Sequence, residues 1–458
     1  MFLLLISGLA GVLYGLASGN ILAVAMPYFE ATMGIGAARM GTLVASSSIV
    51  ATVFGFAAGP LAEMFGRKRM LVLSALLFVL SAPVIVWCNG SYALLVTGFA
   101  FQGVSMGLVG TVAPLYLAES LPAEHRGKGT GLFQLFLIGG IVLSGVVGLA
   151  VAYWFGAGDA ADVSVAAKTS AWQALIWIAA VPAVLLFLGG LFAAESPDWK
   201  KGGAKESAAE PSGYSVLSSL KMLADRRFVV PFVIVFIIVS CNKLCGLPFV
   251  LCYSVKVFQS CGLDGTYANW TDTVFKSVMF GGTALACVLV DRAGRKVLLG
   301  VGTLGACLSM LLIGCSFFAI EHGLLAKGGV TGLMVAVGVV AFIGFYSVGP
   351  GVCVWLVMTE VLPTRIRAIG MSVILLANHF ISSCQQLSFL PIGERFGYAP
   401  VFFFCAVCAL VYFFAVRFGM PETKGMQLGD IEKWYDEKLK RTRISVDLAP
   451  SAPRAKMI

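Results

Sequence analysis

The stretch Glu63-Met64-Phe65-Gly66-Arg67-Lys68 returns later in the chain as Asp291-Arg292-Ala293-Gly294-Arg295-Lys296, and this repeat indicates the architecture of the protein. Two further pairs of short motifs repeat in the same order and at a similar separation. These are Glu119-Ser120-Leu121-Pro122 with Glu360-Val361-Leu362-Pro363, and Glu195-Ser196-Pro197 with Pro421-Glu422-Thr423. The chain is therefore a tandem duplication of one unit, which predicts two similar bundles with a site between them.

The composition excludes a water-soluble globule. Hydrophobic residues make up 59% and charged residues only 12% of the chain, whereas soluble domains carry roughly 25% charged residues. A membrane-spanning helix needs about 20 mainly apolar residues, and each half of the chain contains six such stretches. They cover 2–28, 38–62, 69–88, 92–117, 129–155, 172–193, 229–257, 273–290, 297–320, 331–358, 369–389 and 400–419. The sequence thus predicts an all-α polytopic membrane protein with twelve transmembrane helices in two six-helix bundles.

Changes in composition predict the domain boundaries. We expect an N-terminal bundle at 1–194, a cytoplasmic linker at 195–228, a C-terminal bundle at 229–419 and a cytoplasmic tail at 420–458. The linker is rich in small and charged residues, which is typical of a flexible connection. Gly349-Pro350-Gly351 is the candidate for a break within a span.

The distribution of positive charge decides what the formal net charge of +9 means. Most Lys and Arg residues fall on the side of the two Gly-Arg-Lys loops. The other side holds Arg39, Lys168, Lys256, Lys276, Lys327 and Arg395. This asymmetry follows the positive-inside rule. It predicts a multi-pass protein of the plasma or inner membrane with both termini in the cytoplasm, and a lipid bilayer rather than nucleic acid as the partner of the basic residues.

Several motifs together resemble the sugar porters of the major facilitator superfamily, which include facilitative glucose transporters and sugar/proton symporters. They are Pro421-Glu422-Thr423-Lys424-Gly425, Ala194-Glu195-Ser196-Pro197, Pro114-Leu115-Tyr116-Leu117-Ala118-Glu119, and Gly349-Pro350-Gly351 with Trp355. The resemblance implies the major facilitator fold and a monomeric carrier of a small sugar-like molecule by alternating access, without a cofactor. No constellation for enzymatic chemistry is evident at membrane depth.

The repeated charged motifs predict a gating network. An acid such as Glu63 or Asp291 at the membrane edge is expected to complement the positive N-terminus of a neighbouring helix and to pair with a nearby Arg. The resemblance adds two acid and Arg pairs to this network. The network consists of Glu63, Arg67, Glu119, Arg126, Asp291, Arg295, Glu360 and Arg367. The alternative is that these residues only anchor the topology.

Amide, hydroxyl and aromatic side chains are the groups that recognise sugars. By resemblance, Gln134 in the fifth span and Trp355 in the tenth keep the family's residues, whereas the seventh-span motif is altered to 242–248 of this chain. The candidate substrate-binding residues are Gln134, Asn242, Lys243, Tyr253, Trp355 and Asn378. Because the site is rebuilt, the substrate need not be glucose or xylose.

The sequence favours uniport over proton symport. By resemblance, symporters carry an Asp in the first span and an Arg in the fourth, and this chain has Tyr14-Gly15-Leu16-Ala17 and Gly98-Phe99 instead. We also expect no Asp or Glu away from the membrane edges of the other spans.

Lys243 is the ionisable residue expected near the middle of a span, which predicts a functional role. It suggests, as an alternative, an exchanger or symporter for an anionic organic solute. The alternative to a functional role is that Lys243 hydrogen-bonds to backbone carbonyls at the Pro248 break. For the protein as a whole, an alternative from a different functional class is a non-transporting sugar sensor.

Overall fold

The computed structural model describes residues 2–18, 20–120, 123–156, 160, 162–196, 199, 226–363, 366–426, 429–431, 433–435 and 437–438. Over this part of the chain the regular structure is helical, and twelve spans are long and apolar enough to cross a membrane. The prediction of twelve transmembrane helices is confirmed. Most of the expected linker and the end of the expected tail lie outside the described residues.

The helices follow one another with short connections. They are α1 (Phe2–Ala17), α2 (Asn20–Met33), α3 (Ala37–Phe65), α4 (Arg67–Val86), α5 (Tyr92–Ser120), α6 (Ala123–Phe155), α7 (Val165–Phe192), α8 (Arg226–Leu244), α9 (Leu247–Ser260), α10 (Gly265–Ala293), α11 (Arg295–Glu321), α12 (Gly329–Val348), α13 (Pro350–Val361), α14 (Arg367–Phe396) and α15 (Ala399–Phe414), which continues into a π-helical turn at Ala415–Gly419. We call the membrane side with the two Gly-Arg-Lys loops the basic face, and the other side the opposite face.

Three spans are interrupted, and each interruption divides a span into two helices. The first span breaks between α1 and α2, the seventh between α8 and α9, and the tenth between α12 and α13. Gly246 supports the seventh-span break with a φ of 107°, a conformation that residues with a Cβ rarely adopt. Gly349 supports the tenth-span break, as predicted, because a Cβ there would lie 2.2 Å from the carbonyl oxygen of Leu298.

The eighth span is longer than the sequence predicts. The expected limits were 273–290, but α10 begins at Gly265, where Asp264 accepts a hydrogen bond from the Tyr267 amide at 2.8 Å. Asp272 and Lys276 therefore lie inside the span, fully buried, with 2.7 Å between Nζ and Oδ2. The expectation that no acid lies away from the membrane edges is wrong. An i,i+4 pair of opposite charges allows a helix to continue where a hydropathy count stops.

Glycine permits close approach of helices both within and between the bundles. In the N-terminal bundle, a Cβ on Gly107 of α5 would lie 2.6 Å from the carbonyl oxygen of Ala51 in α3. Between the bundles, a Cβ on Gly41 of α3 would lie 2.6 Å from the carbonyl oxygen of Leu387 in α14. Small residues of this kind pack transmembrane helices through their backbones. The two bundles accordingly meet along α3 with α14 and along α6 with α10.

Candidate functional site

The basic face of the N-terminal bundle is held by a charged network. Arg67 donates from Nε to Oε2 of Glu119 at 2.9 Å and from a terminal nitrogen to Oε1 at 2.8 Å. Glu195 accepts the backbone N–H of Lys68 at 2.9 Å, in the first turn of α4. Gly66, with a φ of 98°, leaves room for that carboxylate, since a Cβ there would lie 2.5 Å from Oε2 of Glu195. A bidentate Arg pair and a carboxylate at a helix N-terminus are both stabilising.

The C-terminal bundle repeats this arrangement. Arg295 lies 3.4 Å from Oε1 of Glu360. Glu422 accepts the backbone N–H groups of Arg295 and Lys296 at 2.9 and 3.0 Å. Gly294, with a φ of 88°, packs against the Glu422 carboxylate. The repeated motifs of the sequence therefore build the same contact twice.

The structure places the helix-capping acids differently from the prediction. Glu195 and Glu422 cap α4 and α11, whereas the side chain of Glu63 is exposed and only its carbonyl oxygen is bonded, to the indole of Trp199 at 2.8 Å. The role expected of Glu63 belongs to Glu195, because the loop after α7 folds back onto the start of α4. The side chains of Arg126, Asp291 and Arg367 lie outside those that the structure describes.

Polar contacts between the bundles extend from the opposite face to about mid-depth, as far as the described residues are concerned. Glu30 pairs with Lys256, and the Trp270 indole donates to Tyr153 at 2.8 Å. Deeper in the membrane, Ser48 donates to Gln386. The contacts of the basic-face network, in contrast, each lie within one bundle.

A buried charged cluster forms another of these contacts. Lys276 of α10 donates to Ser144 of α6 at 3.1 Å, while its partner Asp272 accepts from Ser254 of α9 at 2.5 Å. The Ser144 hydroxyl donates to the Ile141 carbonyl, so its lone pairs face Lys276. The sequence offered one signal for this cluster, an acid and a base four residues apart, but the expected span boundary excluded Asp272.

Exposure along the inter-bundle helix faces indicates a cleft that opens at the basic face. On α14, Gln386 is buried against the other bundle, whereas His379, two turns nearer the basic face, is exposed. On α10, Lys276 is buried and Cys287 is exposed. Residues 7 or 11 positions apart share one helix face. The two bundles are thus closed together at the opposite face and separated towards the basic face.

Gln134 and Trp355 are the candidate substrate residues that remain available. Gln134 is exposed and lies on the same face of α6 as Gly145, which contacts Thr273 in the other bundle. Trp355 is 42% exposed on α13, just after the tenth-span break. Gln134 therefore lines the cleft.

Three other candidate substrate-binding residues form hydrogen bonds with other parts of the protein. Asn242 donates to the Pro350 carbonyl at 3.2 Å and accepts from Tyr346 at 3.0 Å. Tyr253 is fully buried and donates to the Gln386 carbonyl at 2.5 Å. Asn378 is buried and donates to the Val239 carbonyl at 2.9 Å. These side chains join the seventh span to the tenth and eleventh.

Lys243 is half-buried near the middle of the seventh span, immediately before the break. Within the described residues, its ammonium has neither an ion pair nor a side-chain hydrogen bond. His379, on the cleft face of α14, lies close enough for the two groups to interact electrostatically. The charge of Lys243 therefore lies beside the cleft.

Comparison with known proteins assigns the chain to a family. The profile of the family described as "Sugar (and other) transporter" matches residues 28–435. The chain belongs to the sugar transporter family. This membership, together with the fold, places it among the sugar porters of the major facilitator superfamily, which are not enzymes.

Individual members of the sugar transporter family are similar over nearly the whole chain. The putative metabolite transport protein YwtG of Bacillus subtilis is 28% identical over 464 residues, covering 96% of this chain and 95% of that protein. Plastidic glucose transporter 4 of Arabidopsis thaliana is 29% identical over 451 residues, covering 93% and 78%.

Solved structures share the fold. The crystal structure of a D-xylose-proton symporter has a TM-score of 0.77 at 21% identity, covering 93% of this chain and 99% of that chain. An inward-open structure of the xylose transporter XylE from E. coli has a TM-score of 0.76, covering 94% and 98%. The twelve spans of this sugar porter therefore have the same fold as these two proteins.

Proposed function

We propose that this sugar porter moves a monosaccharide or a related polyol across the membrane by alternating access. The observation that carries the proposal is the asymmetry of the inter-bundle contacts, which join the bundles at the opposite face and leave a cleft at the basic face. Relatives named as a glucose transporter, an arabinose-proton symporter and a polyol transporter support this class of substrate.

The two moving bodies are the bundles at 1–194 and 229–419, joined by the linker at 195–228. In the alternative state, the contacts of Lys256, Trp270 and Lys276 with the N-terminal bundle break and the opposite face opens. The bundles then approach at the basic face, where the exposed Glu63 is available to the other bundle. The paired networks around Arg67 and Arg295 keep each bundle rigid during this movement.

Within the cleft, Gln134 and Trp355 supply an amide and an aromatic face for the solute. Asn242, Tyr253 and Asn378 shape the site through their bonds between spans, and Lys243 contributes a charge. Recognition by hydroxyl-directed hydrogen bonds suits a polyhydroxylated solute, because each unmatched buried polar group would weaken binding.

Facilitated diffusion is the mode of transport that we propose. The acid and Arg of proton symporters are absent from the first and fourth spans, where Leu16-Ala17 and Gly98-Phe99 stand. Asp272 does lie inside the eighth span, but Lys276 neutralises it at 2.7 Å. The basic face is proposed to be cytoplasmic, in a cell membrane, since basic residues favour that side, and the carrier is proposed to act as a monomer.

Transport by purified protein in proteoliposomes tests this proposal. A panel of labelled monosaccharides and polyols is measured by counterflow, with and without a pH gradient. We expect accumulation of at least one of them, with a rate that the gradient does not change. Binding without flux would support a sensor instead, and accumulation driven by the gradient would overturn uniport.

A further inference from the structure

Lys243 is a mid-membrane cation without a counter-charge among the residues that the structure describes. A charge at this depth is unfavourable and is normally paired. Lys276, the comparable cation of the eighth span, is fully buried and paired with Asp272. Lys243, in contrast, has no acidic partner among the described residues. The charge is therefore available to a bound anion.

Among the described residues, no backbone carbonyl at the seventh-span break accepts a hydrogen bond from the Lys243 ammonium, and the carbonyls nearest to it have other donors. The Asn242 carbonyl accepts from the Cys245 thiol at 3.0 Å, and the Lys243 carbonyl from the Gly246 amide at 2.9 Å. The Leu244 carbonyl accepts from the Gln385 side chain at 3.2 Å. The hydrogen bonds at the break thus fix the backbone of Lys243 and do not involve its ammonium group, which is available to a solute in the cleft.

The described acids lie far from the middle of the cleft. Glu30 and Asp272 are paired with lysines towards the opposite face. The others lie at the membrane edges, such as Glu119 in the basic-face network and Asp264, which caps α10 at the opposite face. His379 is not an anion in any protonation state, so it does not supply a negative charge to Lys243 either.

A second group of unsatisfied donors lies on the opposite face. An open depression of about 500 Å³ is lined by Glu30, Lys168, Lys256 and Gln259. Glu30 is paired with Lys256, whereas Lys168, only 9% exposed, has no described acidic partner. The side-chain nitrogen of Gln259 is buried without an acceptor. Both groups suit an anionic solute arriving at that face.

We propose that the preferred solute of this carrier is a sugar acid, a polyhydroxylated molecule with one carboxylate, such as a uronate or an aldonate. Lys243 pairs with the carboxylate in the cleft while the amide of Gln134 meets the hydroxyls. Lys168 and Gln259 receive the carboxylate at the opposite face. This inference rests on the proposed sugar transport and names its substrate class.

The test compares labelled glucuronate with labelled glucose in counterflow by purified protein. We expect glucuronate to be preferred about ten- to hundredfold, the range typical of a charge-assisted contact. Lys243→Gln should bring the ratio of glucuronate to glucose transport to about one, whereas Lys243→Arg should keep the preference. Lys327→Gln, which removes an exposed Lys on the opposite face, is the matched control and should leave the ratio unchanged.

A binding measurement keeps the proposal testable if the variants transport poorly. Glucuronate should raise the Tm of the parent and of Lys243→Arg, but not of Lys243→Gln. Transport of glucose without glucuronate, preference for glucose 6-phosphate, or an unchanged ratio in Lys243→Gln would each overturn the sugar-acid proposal alone. Failure of every neutral and acidic sugar to bind or move would overturn the proposed function with it.

Discussion

Replacing Ser144 by Ala is the most informative perturbation of the closed face. Ser144 is buried and accepts the hydrogen bond that Lys276 sends across the bundle interface at 3.1 Å. A hydrogen bond to a charged group contributes about 1.5–3 kcal/mol. Because about 1.4 kcal/mol is a factor of ten in an equilibrium, Ser144→Ala should favour the state open at the opposite face by about 10- to 150-fold.

Alkylation of a reporter cysteine measures that equilibrium. Thr273 is half-buried and contacts Gly145 of the other bundle, so Thr273→Cys becomes more accessible when the bundles separate there. The exposed Cys287, Cys315 and Cys384 are first replaced by Ala, and the maleimide reaction is followed in detergent, where both faces are accessible.

Ser144→Ala should accelerate the reaction of Thr273→Cys within the predicted range. A cysteine at Val330, which is 75% exposed near the opposite face, should react at the same rate with and without Ser144→Ala. An unchanged rate at Thr273→Cys would refute the role of the hydrogen bond between Lys276 and Ser144 in holding the opposite face closed, and equal acceleration at both sites would indicate unfolding instead.

Further predictions concern stability, measured as Tm in detergent. Lys276→Met leaves the Asp272 carboxylate buried without its cation and should reduce stability by about 3–5 kcal/mol. Adding Asp272→Asn should restore most of that stability. A double variant no more stable than Lys276→Met would contradict this. Glu195→Gln weakens the cap of α4 and should cost about 1 kcal/mol, whereas Glu63→Gln should change stability by less than about 0.5 kcal/mol; equal effects would contradict the assignment of the cap. Gly246→Ala places a Cβ at a φ of 107° and should reduce stability by about 1–3 kcal/mol. An unchanged Tm would contradict this, because the backbone of the seventh-span break would then have adopted another conformation.

The fold was predictable because membrane insertion imposes simple rules on sequence. Length and apolarity identified twelve spans, and the repeated Gly-Arg-Lys loops identified two similar halves. The eighth span was truncated because hydropathy treats Asp272 and Lys276 as two separate charges. Their pairing depends on helix geometry, which a count of apolar residues does not contain.

The site was less predictable because its contacts join distant parts of the chain. The cap of α4 joins Lys68 to Glu195 across 127 residues, and nothing local distinguishes Glu195 from Glu63 as its acid. Similarly, the sequence does not show which group a polar side chain within a span contacts. Asn242 bonds to Pro350 and Tyr346, and this could be learned only from the packing of the seventh span against the tenth.

Alternating access requires that the two bundles open in turn at the two membrane faces. Spin-label distances measured in protein that transports sugar test it most directly, with one pair at Trp87 and Val330 on the opposite face and another at Met64 and Val297 on the basic face, all exposed positions. With transported solute we expect populations in which the first distance lengthens while the second shortens. Two distances that stay fixed, or that lengthen together, would contradict alternating access.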